Sequence, residues 1–220
     1  MWLDSRGGRE VSRQGRLQNQ MGAKAIAANQ PSSSLKTPAH FVQLFDAPRS
    51  LADAVSHFLI EGRAAGQHLL AIVRASHWQL IQAYLERRGL PVGDSSEHLT
   101  VVDARKFRAR MMRRGVLDPA RMEETLDGML TELSAAPGGL RLYGEIVELF
   151  AEEGNFEQAC ALEDYWNHLQ TKYGFTLLCG YSAAHFADPR NTHHLREVCG
   201  RHTAVKSQPA DSLGTWLTTR

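Results

Sequence analysis

The chain has 220 residues, 43% hydrophobic and 22% charged, a make-up that excludes a disordered or membrane protein as a whole and is enough to bury a core without disulfides or a structural metal. A formal net charge of +1 argues against a general binder of nucleic acid or anionic membrane, which relies on a basic excess. The charge is uneven: residues 1–37 hold six basic and two acidic side chains, leaving 19 basic and 22 acidic for the rest.

That first segment is rich in Gly, Ser, Gln and Arg, has no sustained apolar period and ends at Pro31-Ser-Ser-Ser34. It reads as a flexible leader, with Met21 as an alternative start and a short docking helix over Arg16 to Ala28 as the rival reading. No secretion signal is visible in it. Cys160, Cys179 and Cys199 are an odd number without a CxxC pair, which points to a reducing, cytoplasmic setting. The longest strongly apolar run, Leu69 to Val73, is far shorter than the roughly 20 residues a membrane helix needs.

From His40 onward short apolar runs alternate with helical periods, the pattern of an α/β three-layer sandwich with a mostly parallel central sheet. Phe41 to Phe45 is the first strand. A helix headed by Ser50, with Asp53 completing a capping box, carries Leu51, Ala54, Val55, Phe58 and Leu59 inward and closes at Gly62 and Gly66. Leu69 to Val73 is the second strand, covered on both sides. Ser76-x-x-Gln79 opens the next helix, which stops at Gly89-Leu-Pro91.

Leu99 to Val102 is the third strand, followed by a basic segment from Arg105 to Arg114. Asp118-Pro119 starts a helix with Met122, Leu126, Met129, Leu130 and Leu133 as its apolar stripe, ended by Pro137-Gly-Gly139. Leu140 to Val147 is the fourth strand. Asn155 caps a helix bearing Leu162, Trp166 and Leu169, and Gly174 terminates it before a fifth strand, Thr176 to Tyr181. A last helix covers Asn191 to Gly200, and residues 206–220 form a tail whose apolar feature is Trp216 with Leu217.

The junction between the first strand and helix, Phe45-Asp-Ala-Pro-Arg-Ser50, has no glycine and no Lys-Ser/Thr pair, so it cannot be a phosphate loop of the ordinary kind. GxGxxG, GxSxG and HExxH are absent too, which demotes most enzyme classes and points to no cofactor. In parallel sheets ligands bind outside the carboxyl ends of the strands. Those ends carry Asp46, Arg74 with Ser76, Asp103 with Arg105, Glu145, and Tyr181 with Ser182. Ordinary solvation of strand ends explains each singly; together they offer a polar-mouthed pocket.

Arg141, Tyr143 and Glu145 share one face of the fourth strand by its period of two. Two roles are open to the pair of charges, an internal clamp or contact with a ligand, with Glu145 leaning to the ligand and Arg141 to structure. Glu163 and Asn167 stand one turn apart on a helix, where exposed solvation is the usual explanation. His193, His194, Cys199 and His202 match no zinc spacing, so no metal is assigned. Cys179 lies in an apolar strand, as a small buried hydrophobe does.

The order of these elements resembles the MEDS domain, the sensory domain named for methanogens, methylotrophs and the regulator of dichloromethane dehalogenase. The resemblance runs from about His40 to His202. It is carried by Phe58-Leu-Ile-Glu-Gly62, Val102-Asp103, Gly115-Val-Leu-Asp-Pro119, Gly139-Leu-Arg-Leu-Tyr-Gly-Glu145, Leu162-Glu163 with Asn167, and Leu178-Cys-Gly-Tyr181. Ser182 stands where the family commonly has an acidic residue, and Phe107 is an uneven match for an expected aromatic.

The resemblance implies a RecA/KaiC-like fold with the phosphate loop lost, a sensory domain over 38–205, and a small-molecule ligand that includes hydrocarbon derivatives. Its candidate ligand residues are His40, Asp46, Asp103, Arg105, Glu145 and Tyr181; Arg141, Glu163, Asn167, Cys179 and His202 are structural or adjacent to the ligand. Output would pass through a separate regulatory partner, without direct contact to nucleic acid or membrane. A degenerate nucleotide-binding protein or enzyme using Glu145, and a homodimeric interaction module, are the alternatives.

Overall fold

In the computed structural model, residues 38–93 and 97–213 are described; the leader, residues 94–96 and the Trp216-Leu217 pair lie outside them. The strands are β1 (His40–Phe45), β2 (His68–Val73), β3 (Leu99–Asp103), β4 (Met112–Arg113), β5 (Val116–Leu117), β6 (Leu140–Gly144), β7 (Thr176–Ser182) and β8 (Ala204–Lys206). The helices are α1 (Pro48–Ala64), α2 (Ala75–Arg87), α3 (Ala104–Met111), α4 (Pro119–Ser134), α5 (Ile146–Glu152), α6 (Phe156–Tyr173) and α7 (Thr192–Gly200).

Six strands form one sheet in the order β3-β2-β6-β7-β1-β8, and every neighbouring pair is parallel. Strand side chains alternate between two cores. Phe41, Phe45, Leu69, Ala71, Val73, Tyr143 and Leu178 pack beneath α1 and α2. Val42, Leu44, Leu70, Ile72, Leu142, Leu177 and Cys179 pack beneath α3 to α7. The result is the three-layer α/β sandwich expected of apolar runs covered on both faces.

Several helix ends follow their sequence signals. Asp118 caps α4, its carboxylate accepting from Arg121 N at 3.1 Å with Pro119 next. Asn155 caps α6 through Gln158 N, and Gly174 ends it at φ 68°, a left-handed position that glycine takes without strain. Asp103 caps α3 through Lys106 N at 2.8 Å.

Others differ. Helix α1 starts at Pro48 rather than Ser50, because proline pre-sets the first turn; Ser50 sits at the third helical position, its hydroxyl bonded to Ala47 O. Gly62 lies within α1, and Gly66, at φ 73°, makes the turn beyond it. Ser76 does not cap α2, whose N-cap is Arg74. The fourth strand ends at Gly144, and α5 begins where Ile146 and Val147 were expected to extend it, a short apolar run being equally consistent with either state. The basic segment folds into α3 and a β4–β5 hairpin turned at Arg114 and Gly115. β8 adds an edge strand that three residues of weak pattern did not announce. Beyond it Asp211 is buried and accepts from Asp46 N at 3.2 Å, so the start of the tail docks against the end of β1. No helix among the described residues is long and apolar enough to cross a membrane.

Candidate functional site

The chain leaves β2 toward β3 on one side and leaves β6 toward β7 on the other, so a crevice opens between two adjacent strands at their carboxyl ends. Arg74 and Glu145 are the first residues past those strands, as N-caps of α2 and α5. Glu145 is fully buried, and each of its oxygens is saturated. Oε1 accepts from the Tyr143 hydroxyl at 2.6 Å and from His77 Nδ1 at 2.7 Å. Oε2 accepts from Arg74 N at 2.9 Å and Arg74 Nε at 3.4 Å.

The Arg74 guanidinium continues outward to Glu148 at 3.4 Å and Glu152 at 3.2 Å, one cation among three carboxylates. Glu148, also buried, accepts from Ser182 N at the end of β7 and from His185 Nε2, both at 2.9 Å. Burial, and then the Glu145 charge, pushes the Tyr143 hydroxyl well above its ordinary pKa, so it remains a donor.

Beside this network, between the ends of β1 and β7, lies an open cavity of about 590 Å³ lined by Leu44, Asp46, Phe186, Leu195, Ser212 and Leu213 together with alanines of 183–187. Its walls are largely apolar. Its polar groups are the Asp46 carboxylate, which accepts from Ser212 N at 2.6 Å and from the Ser212 hydroxyl, and that hydroxyl itself. The 183–187 wall is the segment that His185 and Ser182 tie to Glu148.

A second polar cluster lies across the sheet, under α6. Glu163 is fully buried there. Its Oε1 accepts from the Tyr181 hydroxyl at 2.9 Å and stands 3.4 Å from His202 Nε2; its Oε2 meets the Cys179 thiol at 3.4 Å and His40 Nε2 at 3.2 Å. Burial alone would raise the Glu163 carboxyl, but the His202 and His40 imidazoles, wherever they carry a proton toward it, outweigh burial and hold the group well below the usual range. Burial, with the Glu163 charge, pushes the Cys179 thiol and the Tyr181 hydroxyl up.

The structure thus sorts the residues singled out in the sequence. His40, Glu163, Asn167, Cys179, Tyr181 and His202 converge in one cluster, although no strand-end rule places them together. Glu163 is buried rather than solvated, because α6 turns that face onto β7 and β1. His202 points into this cluster, while His194 pairs with Glu197 and stacks on Phe156. Glu145 belongs to the other network. Arg141 sits at the opposite end of β6 and does not pair with Glu145: it donates to Gln67 Oε1 at 2.7 Å, Phe58 O at 3.1 Å and Glu61 at 3.2 Å. Asp46 borders the cavity, Asp103 is a helix cap, and Arg105 is 60% exposed, 3.8 Å from Glu152.

Sequence reasoning missed His77, Glu148 and His185. Had Gly144-Glu145 been taken as a helix start, Glu148 would have stood at the third helical position, where a carboxylate meets free N–H groups.

No curated protein matches the chain. A family model described as MEthanogen/methylotroph, DcmR Sensory domain matches residues 39–203, from the residue before His40 to the one after His202. That span takes in both polar clusters and seven of the eight strands, stopping just before β8, and on it the chain belongs to the MEDS family of sensory domains.

Proposed function

We propose that the chain is a non-catalytic sensory module that binds a small, largely apolar compound in the cavity between β1 and β7 and passes the change to a separate signalling or regulatory protein. The observation that carries this reading is the cavity itself. Its volume falls in the range of about 300–1,000 Å³ typical of small-molecule sites, and apolar walls around one carboxylate and one hydroxyl suit a hydrocarbon chain bearing an amine or hydroxyl.

The Glu148-Arg74-Glu145 network gives the site a way to report. A ligand that moves the 183–187 wall also moves His185 and Ser182, and through Glu148 the side chain that bridges β2, β6 and α5. Against the enzyme alternative stands the state of Glu145: four donors occupy its two oxygens, so acting as a base or metal ligand would cost it those bonds. The two-residue Asp46-Ala47 link between β1 and α1 likewise gives no backbone cradle for phosphate.

The test is a thermal-shift and calorimetric screen of short-chain alcohols, amines and haloalkanes, with magnesium-nucleotides as the competing class. A true ligand at 100 times its Kd stabilises by about 2.7 kcal/mol, a rise of roughly 5–10 °C at this size. Leu195→Trp, which fills the cavity, should abolish the rise. A rise undiminished by Leu195→Trp, or ATP turnover lost in Glu145→Gln, would overturn the reading.

A further inference from the structure

We propose that His40, Glu163, Cys179 and His202 form a buried, four-coordinate site for a divalent transition-metal ion of the zinc class. One donor atom from each of the four lies within 4.8 Å of every other, and all four residues are buried. The spacings of His40 Nε2 to Glu163 Oε2 (3.2 Å), His40 Nε2 to Cys179 Sγ (3.4 Å) and Cys179 Sγ to Glu163 Oε2 (3.4 Å) are close to tetrahedron edges. Metal bonds of about 2.0–2.3 Å give edges of roughly 3.3–3.7 Å.

The imidazoles are oriented for this. His202 Nδ1 faces Val198 O at 2.6 Å. His40 Nδ1 faces Asn167 Oδ1 at 2.9 Å, and that amide is itself oriented because its Nδ2 donates to Arg201 O at 3.0 Å. A carbonyl oxygen can only accept, so both Nδ1 atoms carry hydrogen, and both Nε2 atoms turn inward. This is the support that fixes tautomer and aim in metal-binding histidines.

His202 Nε2 is then left without a hydrogen-bond partner although the side chain is fully buried. Nitrogen lone pairs aimed at a buried carboxylate repel it, and such an arrangement needs a cation. The Cys179 thiol, 3.4 Å from both His40 Nε2 and Glu163 Oε2, has one hydrogen and can serve only one of them, and it does not reach His202 Nε2. A dication with one thiolate, one carboxylate and two neutral imidazoles balances to zero. On entry the metal displaces the Cys179 thiol proton, and any proton held on Nε2, to solvent. The bound ion would tie together β1, β7, α6 and the turn before β8.

The full-length chain should be purified, its metal content measured, and the chelator-stripped protein titrated with Co²⁺ and then Zn²⁺. The expected result is one equivalent of Co²⁺ with the visible bands of a tetrahedral site and a near-ultraviolet thiolate-to-cobalt band, displaced by Zn²⁺, with a higher melting temperature. Cys179→Ser should lose the thiolate band, whereas Cys160→Ser and Cys199→Ser keep it. Asn167→Ala should weaken affinity about 10–100-fold by freeing the His40 ring. A folded wild-type chain that shows no cobalt spectrum and no zinc-induced shift overturns the proposal, as does a thiolate band that persists in Cys179→Ser. If Cys179→Ser fails to fold, the wild-type titration with the Cys160→Ser and Cys199→Ser controls decides: loss of the band in either control counts against the site.

Discussion

Replacing Glu145 by glutamine keeps the shape of the side chain and removes its charge, so the outcome can be worked from four bonds. Glutamine has one acceptor oxygen. Turned toward Arg74 it preserves the bonds from Arg74 N and Nε, and its amide then meets the Tyr143 hydroxyl and His77 Nδ1. Tyr143 can rotate to accept, and His77 can accept after moving its proton to the other nitrogen. Few bonds are therefore lost outright, but the three short ones fall from charge-assisted strength, about 1.5–3 kcal/mol each, to about 0.5–1.5. Relief of the buried carboxylate's desolvation returns part of this, and Arg74 keeps Glu148 and Glu152. The expected net cost is about 2–4 kcal/mol, a fall in melting temperature of roughly 5–15 °C. Glu145→Ala, which strands Tyr143 and Arg74 N without acceptors, should cost more. Urea unfolding at neutral pH, followed by circular dichroism, measures both. A glutamine variant within about 1 kcal/mol of wild type, at an unchanged denaturant slope, would show that the carboxylate is not held by its own protein and would return Glu145 to the list of ligand contacts.

Gly62→Ala gains about 1 kcal/mol of helix propensity, yet its Cβ would stand 2.5 Å from Arg141 Cδ and 2.8 Å from Leu69 Cδ2. A net loss of about 1–2 kcal/mol is expected, and Arg141→Met in the same chain should reduce it, a coupling that a double-mutant cycle reads directly. Asp118→Ala removes the α4 cap and should cost about 1 kcal/mol in the same melts. Burial, with the neighbouring His98 charge, holds the His68 imidazole below its ordinary pKa of 6.5. The unfolded chain therefore binds the proton more readily, so His68 lowers stability as pH falls below about 6.5. Melts at pH 7.5 and 5.5 should show a smaller acid loss in His68→Gln than in wild type; an equal loss would reject the assignment.

Features that rest on local chemistry were legible before the structure. Asp118-Pro119, Asn155 and Gly174 mark helix ends through bonds made within a few residues, and the apolar runs at Leu69 and Thr176 mark strands because parallel strands are buried on both faces. The site was legible only in part. Glu145 stands out at a strand end, but His77 and His185 become its neighbours, directly and through Glu148, only when α2 and the segment after β7 come together. The Glu163 cluster joins residues from His40 to His202, and beside it His40 N donates to the Thr203 hydroxyl, 163 positions away. Helical spacing could pair Glu163 with Asn167 on one face, but it could not tell that the face is buried, because that depends on β1 and β7 lying opposite. The α5 error has the same origin, since Ile146 and Val147 are apolar in a way that serves a strand or a buried helix equally.

The energetics of the proposed sensor can be bounded from the cavity wall. Residues 183–187 form a single turn of 3₁₀ helix and its exit, tied to the Glu148 carboxylate through two hydrogen bonds, from Ser182 N and His185. Glu148 in turn shares Arg74 with Glu145, and such buried polar networks favour discrete arrangements over gradual distortion. Moving a two-state equilibrium from 1:99 to 99:1 takes about 5.5 kcal/mol of differential affinity. At about 25 cal/mol per Å², that corresponds to roughly 220 Å² of apolar surface buried in one state and not in the other. A compound of six to eight carbon atoms is about the smallest that can supply such an area, so a one- or two-carbon ligand could occupy the cavity without switching the wall completely. Chain length, more than polar substitution, should therefore set the size of the response, and a homologous series of primary alcohols or amines would read it as a graded rise in the fraction switched.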